Sequence, residues 1–117
     1  MDIRSRLISF KYAFRGLLFL FKGQPNAWIH LVAAVGVIVA GILFRLSTVE
    51  WLFVMFAIGF VFSAELFNSA VEELVNKVSP EEHPLAGKVK DLAAGAVLVA
   101  AITAAVIGGI VFFPKIF

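Results

Sequence analysis

Apolar positions recur at helical spacing from the start of the chain. Leu7, Phe10, Phe14, Leu17, Leu18 and Phe21 follow one another every three or four residues, interrupted by Arg6, Lys11 and Arg15. This pattern predicts an amphipathic surface helix over 1–23, lying in a bilayer interface with its basic side toward anionic headgroups. Gly23, Gln24, Pro25 and Asn26 then break the pattern, and Pro25 suits the first turn of a new helix. Beyond the break the polar positions nearly vanish. A first span is expected over 27–45, with His30 near its start. A short polar turn at Arg45–Glu50 separates it from a second span over 51–78, which opens at Trp51, an interface anchor. Ser79-Pro-Glu-Glu-His-Pro84 forms a charged loop with two helix breakers. A third span is expected over 87–113, ended by Pro114. Its uncharged stretch, 92–113, is roughly 33 Å long at the helical rise, enough to cross hydrocarbon.

Composition agrees with this pattern. The chain has 117 residues, of which 62% are hydrophobic, more than a soluble unit of this size can hide. The expected architecture is therefore an all-α membrane protein: one unit over 1–117, a surface helix and three spans. It has no cysteine, which excludes disulfides and thiolate chemistry. The start does not read as a signal peptide, because bases interrupt it through Lys22. The few basic residues and the lipid-buried bulk argue against nucleic-acid binding. Bases cluster at Arg4, Arg6, Lys11, Arg15 and Lys22, and again at Lys77, Lys88 and Lys90. The positive-inside rule then places the N-terminus and the 79–90 loop in the cytoplasm. Ala96, Ala100, Ala104 and Gly108 form a small-residue stripe suited to close helix packing, within one chain or between copies. Three thin helices barely enclose a polar site, which favours a homo-oligomer.

The second span departs from the apolar rule. Glu65, Asn68, Glu72 and Asn76 fall within about 80° of one another on one helix face, with Ser69 beside them. A charged residue near mid-bilayer costs on the order of 2.5–3.5 kcal/mol, so such a line points to function. Glu73 is rotated away and reads as reaching the headgroups. His30 reads as an interfacial hydrogen-bonder, with a substrate or metal contact as the alternative. Lys90-Asp91 stands at the mouth of the third span, where a lysine anchor and a helix cap would also be expected. Acids able to hold a divalent cation, an amide and a lysine together suit phosphoryl transfer, although no glycine-rich phosphate loop is present.

The run Glu65-Leu-Phe-Asn68-Ser69-Ala-Val-Glu72, followed by His83-Pro-Leu and Lys90-Asp91, resembles the bacterial diacylglycerol kinases, a family that includes the undecaprenol kinases. The resemblance covers nearly the whole chain. It implies a homotrimer in the bacterial inner membrane that phosphorylates a membrane lipid alcohol from ATP with Mg2+. By position, Glu65 matches the general base and Asn68 the amide beside it. Glu72 matches a metal-binding, ATP-contacting carboxylate. Tyr12, Glu81, Glu82, His83, Lys90 and Asp91 match further ATP-contacting positions. Phe14, Arg15 and Asn26 match the lipid-contacting surface. Gln24 stands where the family usually has a second metal-binding glutamate, and a neutral amide is a weaker ligand for a divalent cation. Asn76 stands where an aspartate is common, and Ser5 where some members have an arginine. Two other readings compete with a kinase. Intramembrane glutamates also serve proton-coupled transporters, and Gln24 and Asn76 suit a non-catalytic lipid-binding relative.

Overall fold

The computed structural model describes residues 2–117 and contains four helices: α1 (Ile3–Gly23), α2 (Pro25–Leu43), α3 (Thr48–Val78) and α4 (Pro84–Ile116). No strand occurs among the described residues. The last three helices are long and apolar enough to cross a membrane. The surface helix starts on Asp2, whose carboxylate accepts the Ser5 backbone N–H at 2.9 Å. That hydrogen bond holds the Asp2 carboxyl below the ordinary carboxylate range.

A single extended residue, Gln24, separates α1 from α2, and Pro25 opens α2. The joint is fastened by Trp28. Its indole N–H donates to the Phe21 carbonyl at 2.8 Å, and its ring meets Phe21 edge-on at 5.1 Å between centroids. Phe21 in turn packs near Phe62 of α3. Leu20 is the one buried residue of α1. The rest of α1 is open, as expected of a helix whose apolar face belongs against lipid.

The α2–α3 turn is shorter than the polar stretch Arg45–Glu50 suggests. Thr48–Glu50 are already helical, because Ser47 and Glu50 form a reciprocal capping box. On the other side, α2 ends in a Schellman motif. Leu46 N–H donates to the Gly41 carbonyl and Arg45 N–H to the Ile42 carbonyl. The motif places Arg45 in the left-handed region at φ 54°. It also turns Leu46 back into the core with Val54 and Val111. Gly41 is required here, because a Cβ would meet the Trp51 ring at 2.6 Å. Arg45→Gly removes the left-handed penalty of a residue with a Cβ. It is expected to stabilise the chain by about 1 kcal/mol, read as a raised Tm in detergent.

α3 and α4 form the main antiparallel pair. Lys115 bridges Glu50 at one end (3.1 Å), and Lys90 Nζ donates to Asn76 Oδ1 at the other (2.6 Å). The small-residue stripe of α4 is used unevenly. Ala100 is fully buried, Ala104 and Gly108 are half-buried, and Ala96 is exposed. Pro114 does not end α4, which runs to Ile116. So near the terminus a proline removes only one hydrogen bond, and Phe117 N–H still closes the last turn on Phe113. Only 11–22% of each span's apolar window is buried within the chain. The remaining apolar surface faces lipid or another chain.

Candidate active site

Two polar rungs join α2 to α3. At the first, the Gln24 side-chain amide donates to Glu72 Oε2 at 3.1 Å. At the second, six residues or roughly 9 Å along α2, His30 Nε2 lies 3.0 Å from Glu65 Oε1. Depth follows from the helical rise. Counted from Trp51 at the opposite interface, Glu65 lies about 21 Å into α3 and Glu72 about 32 Å. Hydrocarbon is about 30 Å thick, so Glu72 sits at the boundary and Glu65 inside it.

Glu65 is the one charged residue buried among the described residues, at 2% exposure. Its contact with His30 is close but not aligned as a hydrogen bond. Glu65 Oε1, Asn68 Oδ1 and Ser69 Oγ are all buried without a hydrogen-bond partner. Three such atoms within about one helical turn are costly in a folded chain, at about 1–3 kcal/mol each, and leave polar capacity that a ligand, a water or a neighbouring chain could use. Ser69 also lines a groove of about 710 Å³ between α1 and α3, together with Lys22, Gln24 and Glu73. Glu73, expected among the headgroups, therefore borders the groove.

A second groove, of about 550 Å³, lies where α3 meets α4 and the loop between them. Asn76, Glu81, Glu82, His83 and Lys90 line it. Asn76 is the residue that holds Lys90 in place. One His83 ring nitrogen is committed to structure, since Nδ1 accepts the Leu85 N–H and caps α4. Tyr12 is exposed on α1 with the Arg15 guanidinium 5.5 Å from its ring centroid. Tyr12, Phe14, Arg15, Asn26 and Asp91 are exposed and line neither groove. The fold thus brings Gln24, Glu65, Asn68 and Glu72 together along the α2–α3 seam. It groups Glu81, Glu82, His83 and Lys90 at the α4 mouth.

A profile of the prokaryotic diacylglycerol kinases matches residues 11–112, which carry both rungs and both grooves. The chain belongs to that family. Among the curated relatives of this prokaryotic diacylglycerol kinase family member is an undecaprenol kinase of Bacillus subtilis strain 168. It is 41% identical over 92% of this chain and 88% of its own length. A diacylglycerol kinase of Haemophilus influenzae is 34% identical over 90% of each chain. One of Synechocystis is 39% identical over 94% of this chain, which spans 63% of that relative's length. The family makes this chain a lipid kinase, and a kinase uses ATP. The transporter reading of the intramembrane glutamates gives way to that assignment.

The sequence pattern did not show that His30 neighbours Glu65. It lies 35 positions from Glu65 in the chain, and its side chain reads in isolation as an interfacial hydrogen-bonder. The α2–α3 hairpin register is what makes it Glu65's neighbour.

Proposed function

We propose that the chain transfers the γ-phosphoryl group of ATP to the hydroxyl of a membrane lipid, with Glu65 as general base. The observation that carries this reading is the buried Glu65 carboxylate, inside hydrocarbon and surrounded by unpartnered polar atoms. A carboxylate in such a place is positioned for a proton presented by an amphiphile whose tail shares the same solvent. Asn68, one turn away, orients the hydroxyl. Ser69 and Lys22 receive the lipid's polar end in the α1–α3 groove. Lys90, held by Asn76 about 16 Å along α3 from Glu65, contacts the nucleotide end of ATP. Glu81, Glu82 and His83 frame the nucleotide with Tyr12 and Asp91. Phe14, Arg15 and Asn26 support the lipid from the surface helix.

The residues present suit a magnesium ion at the first rung. Glu72 offers a carboxylate and Gln24 an amide, and magnesium is commonly held by one or two carboxylates plus substrate phosphates and water. When bound, the ion screens phosphate charge and orients the donor. Gln24→Glu places a second carboxylate beside Glu72. It is expected to lower the magnesium concentration for half-maximal activity about tenfold. It should also make Tm depend on magnesium, because the two carboxylates repel without it.

We place the N-terminus and the 79–90 loop in the cytoplasm of a bacterial inner membrane, from the distribution of bases. We further propose a homotrimer, in which neighbouring copies cover the exposed apolar flanks and bring α1 and loop residues to one site. The acceptor belongs to the lipid alcohols that the relatives' names give. Phosphate transfer from radiolabelled ATP to a micellar panel of undecaprenol, diacylglycerol and shorter alcohols tests the reading. Label in at least one lipid supports it, and label in none overturns it.

A further inference from the structure

We infer that Asn76 sets the affinity of the α4-mouth groove for a polyphosphate, because its amide oxygen aims the Lys90 ammonium without cancelling its charge. The inference rests on that groove being the nucleotide site. Asn76 is a positioning residue in it, acting on the ligand through Lys90. By helical rise Asn76 lies about 38 Å along α3 from Trp51, past the roughly 30 Å of hydrocarbon. It is exposed there, where a water-soluble ligand arrives. Lys90 is half-buried, and its Nζ donates to Asn76 Oδ1 at 2.6 Å. Among the described residues the ionic contacts are His30 with Glu65 and Lys115 with Glu50, so no carboxylate pairs with Lys90. An ammonium has three N–H donors. One goes to the amide, and two are left for ligand oxygens.

The charges around the groove make that neutrality matter. Its titratable lining is Glu81, Glu82, His83 and Lys90. His83 Nδ1 accepts the Leu85 N–H, so that nitrogen holds no proton and the ring is neutral in this arrangement. Two carboxylates therefore stand against one ammonium. Lys77, Lys88 and Asp91 do not line the groove. On α3, Glu73 and Glu72 stand one turn before Asn76, and Glu72 is engaged by the Gln24 amide. An anion enters such a groove only where its cation is free to meet it. A carboxylate at position 76 would pair with Lys90 and compete with phosphate oxygens for its protons. It would also set three negative groups against one positive. The amide has the same shape, fixes the ammonium in the same place and leaves its charge for the ligand.

The full chain in micelles, assayed with magnesium-ATP and a lipid alcohol, tests this. Asn76→Asp keeps the shape and adds the charge. Its KM for ATP is expected to rise about 3–5-fold at low salt, near the top of the range for an exposed charge pair. The rise should shrink toward none as salt approaches about 0.5 M, because added ions screen exposed charges. Asn76→Ala removes the aim. It is expected to raise KM for ATP about 2–5-fold in the wild-type chain and to add nothing in a Lys90→Met chain, since the effect passes through Lys90. An unchanged KM in Asn76→Asp, a rise that salt does not reduce, or an Asn76→Ala effect that persists without Lys90 overturns the inference. So does a lower magnesium requirement in Asn76→Asp without a rise in KM, which would make position 76 a metal site beside Glu72. Lys90→Met separates the two readings. If it raises KM for ATP while the Asn76 variants match wild type, the nucleotide groove stands and the inference fails. If it leaves KM for ATP unchanged, both fail.

Discussion

Glu65→Gln lowers kcat for lipid phosphorylation by about 10²–10⁴-fold, the range over which a positioned general base acts. The substitution keeps the shape and the hydrogen-bonding oxygen but cannot take a proton. Burial sharpens the test. At 2% exposure Glu65 has no water to replace it, Asn68 and Ser69 nearby are not bases, and His30, 3.0 Å from the carboxylate, is the one neighbouring group able to take a proton. The neutral amide costs no more to bury than the carboxylate, so Tm in detergent is expected to hold or rise. KM for ATP is expected to stay unchanged, because the groove proposed for the nucleotide lies at the α4 mouth. Near-normal turnover would remove Glu65 from the base role.

The second large effect is at Glu72. Glu72→Gln is expected to raise the magnesium concentration for half-maximal activity by at least about 10–100-fold, the loss seen when even an outer partner of a metal site is removed. The Gln24 amide still finds an oxygen on the new side chain, so the first rung and the fold persist. This separates the variant from Glu65→Gln, whose defect no metal concentration repairs. A Glu72→Gln enzyme with unchanged magnesium dependence would exclude Glu72 as a ligand.

The helical architecture was legible in the sequence because hydrocarbon imposes it. Apolar runs of 14 to 22 uncharged residues, at 27–44, 51–64 and 92–113, have one stable form in lipid, so the apolar pattern points to three spans. Glu65 was legible for the same reason, since a charge in that setting is costly. Helix ends were less so. Thr48–Glu50 look polar enough for a turn, yet the Ser47–Glu50 capping box makes them helix. Pro114 reads as a stop, yet α4 passes it.

The contacts across helices were the least legible. On α3 and α4 the pairs Asn76–Lys90 and Glu50–Lys115 span nearly equal lengths, so reflecting one helix about the loop would have found them. The α2–α3 hairpin is skewed. Gly41 lies under Trp51 near the turn, and reflecting Glu65 about that contact lands near Ala27, about one turn from His30. That offset is not written in residue spacing.

The two rungs also reverse a common trade between durability and chemistry. Many enzymes gain stability when a strained catalytic group is removed. Here the groups proposed for chemistry also link α2 and its N-cap to α3, through the Gln24–Glu72 hydrogen bond and the close His30–Glu65 contact. Alanine at Glu72 is therefore expected to remove a link to α3 as well as the proposed metal ligand. A metal ion on Glu72, as proposed, would compete with its link to Gln24. An engineer seeking a tougher enzyme would do better to work at the Gly41–Arg45 end, leaving the seam slack enough to open.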